Sequence, residues 1–145
     1  MKITEHFDSS EFKQPARKGF EERPYPEEWV QDRLVPLCTQ LELIREKLGN
    51  YPIKVISGYR SPEYNSAIGG AKQSQHMQGR AADIIIKELD AITVYNKILL
   101  LVKAKESEIG GLGRYDDFTH VDIRESPRLM TWNGSRTSEQ TEANA

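Results

Sequence analysis

Between about residues 27 and 48 the apolar side chains are Val30, Leu34, Leu37, Cys38, Leu41, Ile44 and Leu48. They recur at helical steps of three and four, broken only by the adjacent Leu37 and Cys38, which is the stripe of one amphipathic helix. Gly49 follows as its C-cap. A second long helix is predicted after the cap residue Asp90, with Val94, Ile98, Leu101 and Val102 facing inward. Strands are predicted at residues 53–57, 80–87, 108–115 and 118–124. In the last of these Thr119, Val121 and Ile123 share one face, and Phe118, His120, Asp122 and Arg124 share the other. Asp8 followed by Glu11 is the pattern of a capping box, and Ser61-Pro62-Glu63 starts a short helix that ends by Gly69-Gly70. Residues 14–26, with Pro15, Gly19, Pro24 and Pro26, read as a surface connection. Helices interspersed with short strands predict an α+β domain on a small, largely antiparallel sheet packed with the two longer helices. That domain is expected to cover residues 1–132, and the polar, aromatic-free tail 133–145 is expected to be disordered.

Composition narrows the setting. The 145 residues suit one domain, and 37% hydrophobic with 29% charged residues is a globular composition. No apolar run approaches the roughly 20 residues that span a bilayer. With 20 basic residues against 22 acidic ones, the chain lacks the basic excess that recruits nucleic acid or an anionic membrane, so neither is expected as a partner. A monomer is the expectation at this size. Cys38 is the only cysteine, which excludes an intrachain disulfide and a cysteine-based zinc finger. It lies within the helical stripe and reads as a small buried hydrophobe. The opening MKITEHFDSSEF contains no apolar core of a signal peptide, so synthesis in the cytoplasm is expected.

Candidate chemistry rests on few residues. Of the three histidines, His6 reads as a surface or capping residue. His76 sits in a loop that runs into the strand carrying Asp83, and Asp83 interrupts the apolar run of Ala81, Ala82, Ile84, Ile85 and Ile86. An unpaired carboxylate there costs several kcal/mol or is driven to protonate. His120 lies on a strand whose opposite face is β-branched. Two imidazoles and one carboxylate are the protein ligands of a catalytic zinc, with a fourth position left to water. The residues alone leave an alternative open, in which Asp83 pairs with Arg60 or Arg80 and the histidines are merely hydrogen-bonded.

The pattern Ser74-x-His76-x-x-Gly79-x-Ala81-x-Asp83, with a distant His120-x-Asp122, resembles the zinc D-Ala-D-Ala carboxypeptidase and murein endopeptidase family, which has the Hedgehog/DD-peptidase fold. Ser57-Gly58-Tyr59-Arg60-Ser61-Pro62, Asn65, Gly69-Gly70, Gly113-x-Tyr115 and Phe118-x-His120-Val-Asp122 extend the likeness over about residues 6–132. They are similar to the small single-domain branch found in bacteriophages and bacterial murein endopeptidases. The resemblance implies one zinc ion per chain, held by His76, Asp83 and His120. It implies peptidoglycan stem peptides or cross-links as substrate, with hydrolysis at a bond involving a D-amino acid, and action on the cell wall after phage-type release fits such an enzyme. Gly79 lets the loop turn between the first two ligands, and Ala81 leaves room beside the metal. Arg60 matches an arginine near the scissile carbonyl, where it would stabilise the oxyanion; its other reading is a salt bridge to Glu63 or Asp83.

The general base has two candidates. Relatives place a carboxylate three residues before the second metal histidine, which is Asp117 here. Alternation turns Asp117 away from the His120 face unless the strand begins at about Phe118. Asp122 is on the His120 face, its Cα roughly 7 Å further along, and serves either as base or as an acceptor that orients a ligand. Asp116 reads as a solvated turn residue. Tyr59, Gln73 and Tyr115 are candidates to line the substrate cleft. The competing function is a non-catalytic, zinc-containing cell-wall-binding or phage structural module of the same fold.

Overall fold

The computed structural model describes residues 1–17, 19–135 and 137–138. Strands β1 (Lys2–Thr4) and β2 (Phe7–Asp8) form a small antiparallel hairpin that lies against helix α1 (Val35–Lys47). The remaining strands, β3 (Lys54–Ser57), β4 (Ala81–Ile85), β5 (Gly111–Arg114), β6 (Thr119–Asp122) and β7 (Met130–Asn133), form one sheet in the order β3-β4-β6-β5-β7. Every neighbouring pair is antiparallel except β5 with β7. With α1, the short α2 (Pro62–Ala67) and α3 (Ala91–Lys103), this is the predicted α+β architecture.

Local chemistry accounts for the helix ends. Asp90 accepts a hydrogen bond from the Thr93 N–H and starts α3, Ser61 caps α2 in the same way through Tyr64, and the Asp8–Glu11 capping box closes a 3-10 turn at Ser9–Phe12. Gly49 follows α1 with φ of 117°, the left-handed conformation that suits glycine. The helix predicted over residues 27–48 is helical throughout but not uniformly α. It begins as a 3-10 turn at Glu27–Trp29, passes through a π turn at Val30–Leu34, and becomes α-helical only at Val35. Pro36 explains the change, because it lacks the N–H for an i→i−4 bond and its ring crowds the carbonyl one turn back.

Strand alternation divides the sheet. One face sends Ala82, Ile84, Leu112 and Val121 into the core, where they join Leu37, Leu41 and Ile44 of α1 and Val94 and Ile98 of α3. The opposite face carries a row formed by cross-strand partners: Ser57 opposite Asp83, Asp83 opposite His120, His120 opposite Gly113, and Gly113 opposite Trp132. A bulge between Val55 and Ser57 precedes this row on β3. Of the expected tail, Asn133 ends β7 opposite Arg114, and the Gly134 N–H donates to the Arg114 carbonyl. Residue 136 and residues 139–145 lie outside the described residues. No helix among the described residues is long and apolar enough to cross a membrane.

Cys38 is fully buried in α1, and burial pushes its thiol up to about 12. A thiol-specific reagent at about pH 8 is therefore expected to label native protein no faster than it unfolds, and denatured protein at once. Rapid labelling of the native state would show that α1 does not seal the core.

Candidate metal centre

His76 is placed by a 3-10 turn at Gln75–Gln78 that Ser74 caps and Gly79 ends. Gly79 has φ of 68°, and a Cβ there would lie 2.6 Å from Tyr25 Oη, which donates a hydrogen bond to the Gly79 carbonyl at 2.6 Å. The His76 ring then meets the Gly58 carbonyl, with Nδ1 at 2.7 Å from that oxygen. A carbonyl only accepts, so Nδ1 carries the proton and Nε2 carries the lone pair. Nε2 is buried, 3.2 Å from Asp83 Oδ2, and has no hydrogen-bond partner among the described residues. Burial, with Arg60 adding to it, lowers the His76 pKa to about 4, so the ring is neutral.

Asp83 and His120 face each other across β4 and β6, and Asp83 Oδ1 lies 2.9 Å from His120 Nδ1. On its other side His120 Nε2 lies 2.7 Å from Asp122 Oδ2. Burial opposes a charge on His120, but its bonds to Asp122 and Asp83 outweigh that and raise its pKa. Burial works against the Asp83 carboxylate as well, and its bond with His120 nevertheless holds it well below the usual range. Asp122 is fully buried, and its oxygens accept from His120 Nε2 and from the Arg124 backbone N–H, Nε and Nη2. Its pKa is lowered against the cost of burial, by Arg124 first and then His120.

Ligand atoms of His76, Asp83 and His120 lie within 4.8 Å of one another. The set of two imidazole nitrogens and one carboxylate oxygen, including an Nε2 lone pair with no hydrogen-bond donor among the described residues, fits zinc. Carbonyl contact at His76 Nδ1 and carboxylate contact at His120 Nε2 are the outer partners that fix ligand tautomers in such sites.

The other predicted residues fall in different places. Arg60 is 1% exposed. Its Nε donates to Ser57 Oγ, Nη1 to Asn65 Oδ1, and Nη2 to Asp83 Oδ2 at 3.3 Å, the ion pair with Asp83 named as its other reading. Asp117 is exposed in the turn between β5 and β6 and accepts from the backbone N–H and hydroxyl of Ser138. Asp116 is exposed in the same turn. His6 is bound to Glu42 on the surface of α1, as expected of a residue with no part in the centre. A cavity of about 350 Å³ opens against His76 and His120 and is lined by Gln73, Tyr115, Arg124 and Trp132 among others. Tyr59 does not line it but meets Tyr25 and Trp29 edge-on.

Trp132 and Arg124 were not singled out by the sequence pattern. The Trp132 ring lies 5.0 Å from the His120 ring, its Nε1 donates to Tyr115 Oη at 3.1 Å, and the Arg124 guanidinium lies 5.1 Å from its centroid. The signal was Gly111 and Gly113, alternate glycines in one strand, which mark close approach by something larger. A Cβ at Gly113 would lie 2.7 Å from the Trp132 ring, and one at Gly111 would lie 2.3 Å from Asp122 Oδ2. Gly111→Ala is therefore expected to cost about 1–3 kcal/mol in urea unfolding. Wild-type stability in that variant would contradict the close approach.

The sequence profile of a family described as Peptidase M15 matches residues 5–122. Zinc D-Ala-D-Ala carboxypeptidase of Streptomyces albus G is 47% identical over 45 residues, 31% of this chain and 18% of that protein. Peptidoglycan L,D-endopeptidase MepK of Escherichia coli strain K12 is 35% identical over 94 residues, 59% of this chain and 48% of that protein. A probable peptidoglycan L,D-endopeptidase MepK of Haemophilus influenzae is 35% identical over 94 residues, 60% of this chain and 46% of its own length. The chain thus spans less than half the length of these curated relatives.

Proposed function

Since the chain belongs to the peptidase M15 family, we propose that it is a zinc metallopeptidase that hydrolyses a peptide bond in peptidoglycan stem peptides or cross-links. The observation that carries this reading is the convergence of the His76, Asp83 and His120 ligand atoms within 4.8 Å, beside a cavity open on the histidine side. The printed names of the relatives, a zinc carboxypeptidase and peptidoglycan endopeptidases, support the metal and the substrate class.

His76, Asp83 and His120 are assigned as the zinc ligands. Zinc bound there supplies a Lewis acid and lowers the pKa of water towards neutrality. The remaining residues divide the work around it. Arg60, sealed from solvent and tied to Asp83, holds that carboxylate ionised and oriented, so it is a positioning residue. Asp122, with four accepted hydrogen bonds and a depressed pKa, has little capacity to take a proton and is assigned to orient His120 through Nε2. Asp117, exposed in the turn between β5 and β6 that also carries Tyr115, is the general-base candidate. Trp132 and Tyr115, joined by a hydrogen bond, form an aromatic wall for the substrate backbone.

The test is digestion of purified sacculi of defined stem-peptide chemistry by zinc-supplemented protein, with products identified by mass spectrometry. New amino and carboxyl termini within stem peptides are expected. Intact muropeptides after long incubation, from protein that retains stoichiometric zinc, would favour the non-catalytic module instead.

A further inference from the structure

We infer that Tyr25 and Arg33 are positioning residues for the metal centre, which hold the His76 turn from outside the site. This inference rests on the assignment of His76 as a zinc ligand and extends the support of that ligand beyond the cavity. Sequence places Tyr25 in a surface connection and Arg33 on the helix of residues 27–48, and neither lines the cavity beside the histidines. Two sets of contacts nevertheless hold the turn. One comes from residues 58–60: the Arg60 N–H donates to the His76 carbonyl at 3.2 Å, and the Gly58 carbonyl meets His76 Nδ1. The other comes from Tyr25 Oη, which donates to the Gly79 carbonyl at 2.6 Å, and Arg33 Nη1, which donates to the Gln78 carbonyl at 2.8 Å. Gln78 ends the turn and Gly79 caps it, so these bonds fix how the chain leaves His76 on its way to Asp83.

The outer contact is close. A Cβ on Gly79 would lie 2.6 Å from Tyr25 Oη and 2.8 Å from the Trp29 ring, so glycine is needed there for space as well as for φ. Tyr25 is buried, and burial raises its phenol pKa, so the hydroxyl keeps its proton and donates. Its own stretch is anchored in turn. Gln14 is fully buried, pairs with Arg23 through both backbone groups, and accepts from the Ser61 N–H at 2.7 Å through Oε1. Arg33 lies in the π turn at Val30–Leu34, and its guanidinium stacks 4.0 Å from the centroid of the Trp29 ring. Tyr25 and Trp29 both meet Tyr59 edge-on, which joins the two sets of contacts to each other. Single π turns within helices are frequent at functional sites, and this one carries the arginine that reaches the metal loop. A shift of the turn would take the buried Gly79 carbonyl from its Tyr25 donor, which sets a cost on any other position of His76.

The experiment compares the full chain with Tyr25→Phe, Arg33→Lys, Tyr25→Phe/Arg33→Met and Ile98→Val, the last a core change in α3 under the other face of the sheet. Zinc affinity is measured by chelator competition, and ligand geometry by the visible absorption bands of the cobalt(II) form. Tyr25→Phe is expected to weaken zinc binding about tenfold and the double variant about a hundredfold, the range seen when a ligand loses an outer partner. The cobalt bands of the double variant are expected to shift and broaden. Arg33→Lys keeps a donor and a cation over Trp29, and should bind zinc nearly as the wild type does. Ile98→Val is expected to lower Tm and to leave both metal readings unchanged, because a loss of stability alone does not move the ligands. Should the double variant not fold, Tyr25→Phe, which removes a single oxygen, carries the same comparison. Wild-type zinc affinity in Tyr25→Phe and the double variant, or an equal loss in Ile98→Val, would overturn the inference. Wild-type protein that takes up neither ion would instead count against the metal centre itself, so the two failures are distinct.

Discussion

Asp83→Ala is expected to abolish zinc retention and to destabilise the fold at the same time. The first effect follows from loss of the only carboxylate in the ligand cluster. The second follows from Arg60, which is 1% exposed and would keep its charge while losing the Asp83 carboxylate. Breaking a buried pair by removing one partner costs about 3–5 kcal/mol, which for a chain of this length lowers Tm by roughly 10 °C or more. Metal analysis reads the first effect and thermal unfolding in chelator reads the second. The double substitution Arg60→Met/Asp83→Leu separates them, because it removes both charges: stability should largely return while zinc does not. If Asp83→Ala unfolds at the wild-type temperature in chelator, the ion pair is not a structural element of the fold.

The second large effect distinguishes the two acidic residues downstream. Asp117→Asn is expected to keep zinc and to lose about 10²–10⁴-fold in turnover of muropeptides, the usual contribution of a general base. Asp122→Asn is expected to lower zinc affinity about 10–100-fold, because His120 Nε2 would lose the carboxylate that holds its ring. Saturating zinc should therefore restore part of the activity of Asp122→Asn and none of that of Asp117→Asn. The opposite pattern, with Asp122→Asn binding zinc normally but inert and Asp117→Asn active, would exchange the two assignments.

Much of this arrangement was legible before any coordinates, for physical reasons that differ from element to element. Helices α1 and α3 bury one stripe each, so the apolar spacing from Val30 to Leu48 and from Val94 to Val102 announced them. Alternation in β6 placed His120 and Asp122 together, and the oddity of a carboxylate within an apolar strand marked Asp83. What local pattern could not carry was tertiary. Strand β7 is four residues long and mostly exposed, so it has neither the length nor the periodicity to declare itself. The π turn arises from a clash at Pro36 that helical periodicity ignores. Arg60 follows a strand end that, by sequence alone, is as suited to a cleft as to the interior. Its burial depends on Ser57 and Asn65 both arriving to receive it. Capture of Asp122 by Arg124 likewise depends on the chain bending just after β6, beyond the reach of any two-residue repeat.

The sheet's two-faced row has a consequence for how the protein reaches its native state. Sliding β6 by one residue along β4 would turn His120 and Asp122 into the aliphatic layer formed by Ala82, Ile84 and Leu112, and would expel Val121 from it. Stranding an imidazole and a carboxylate among those side chains is costly enough to make a misaligned pairing short-lived. The polar groups of the candidate metal centre thus also proofread the chain's assembly, and they do so with or without an ion bound.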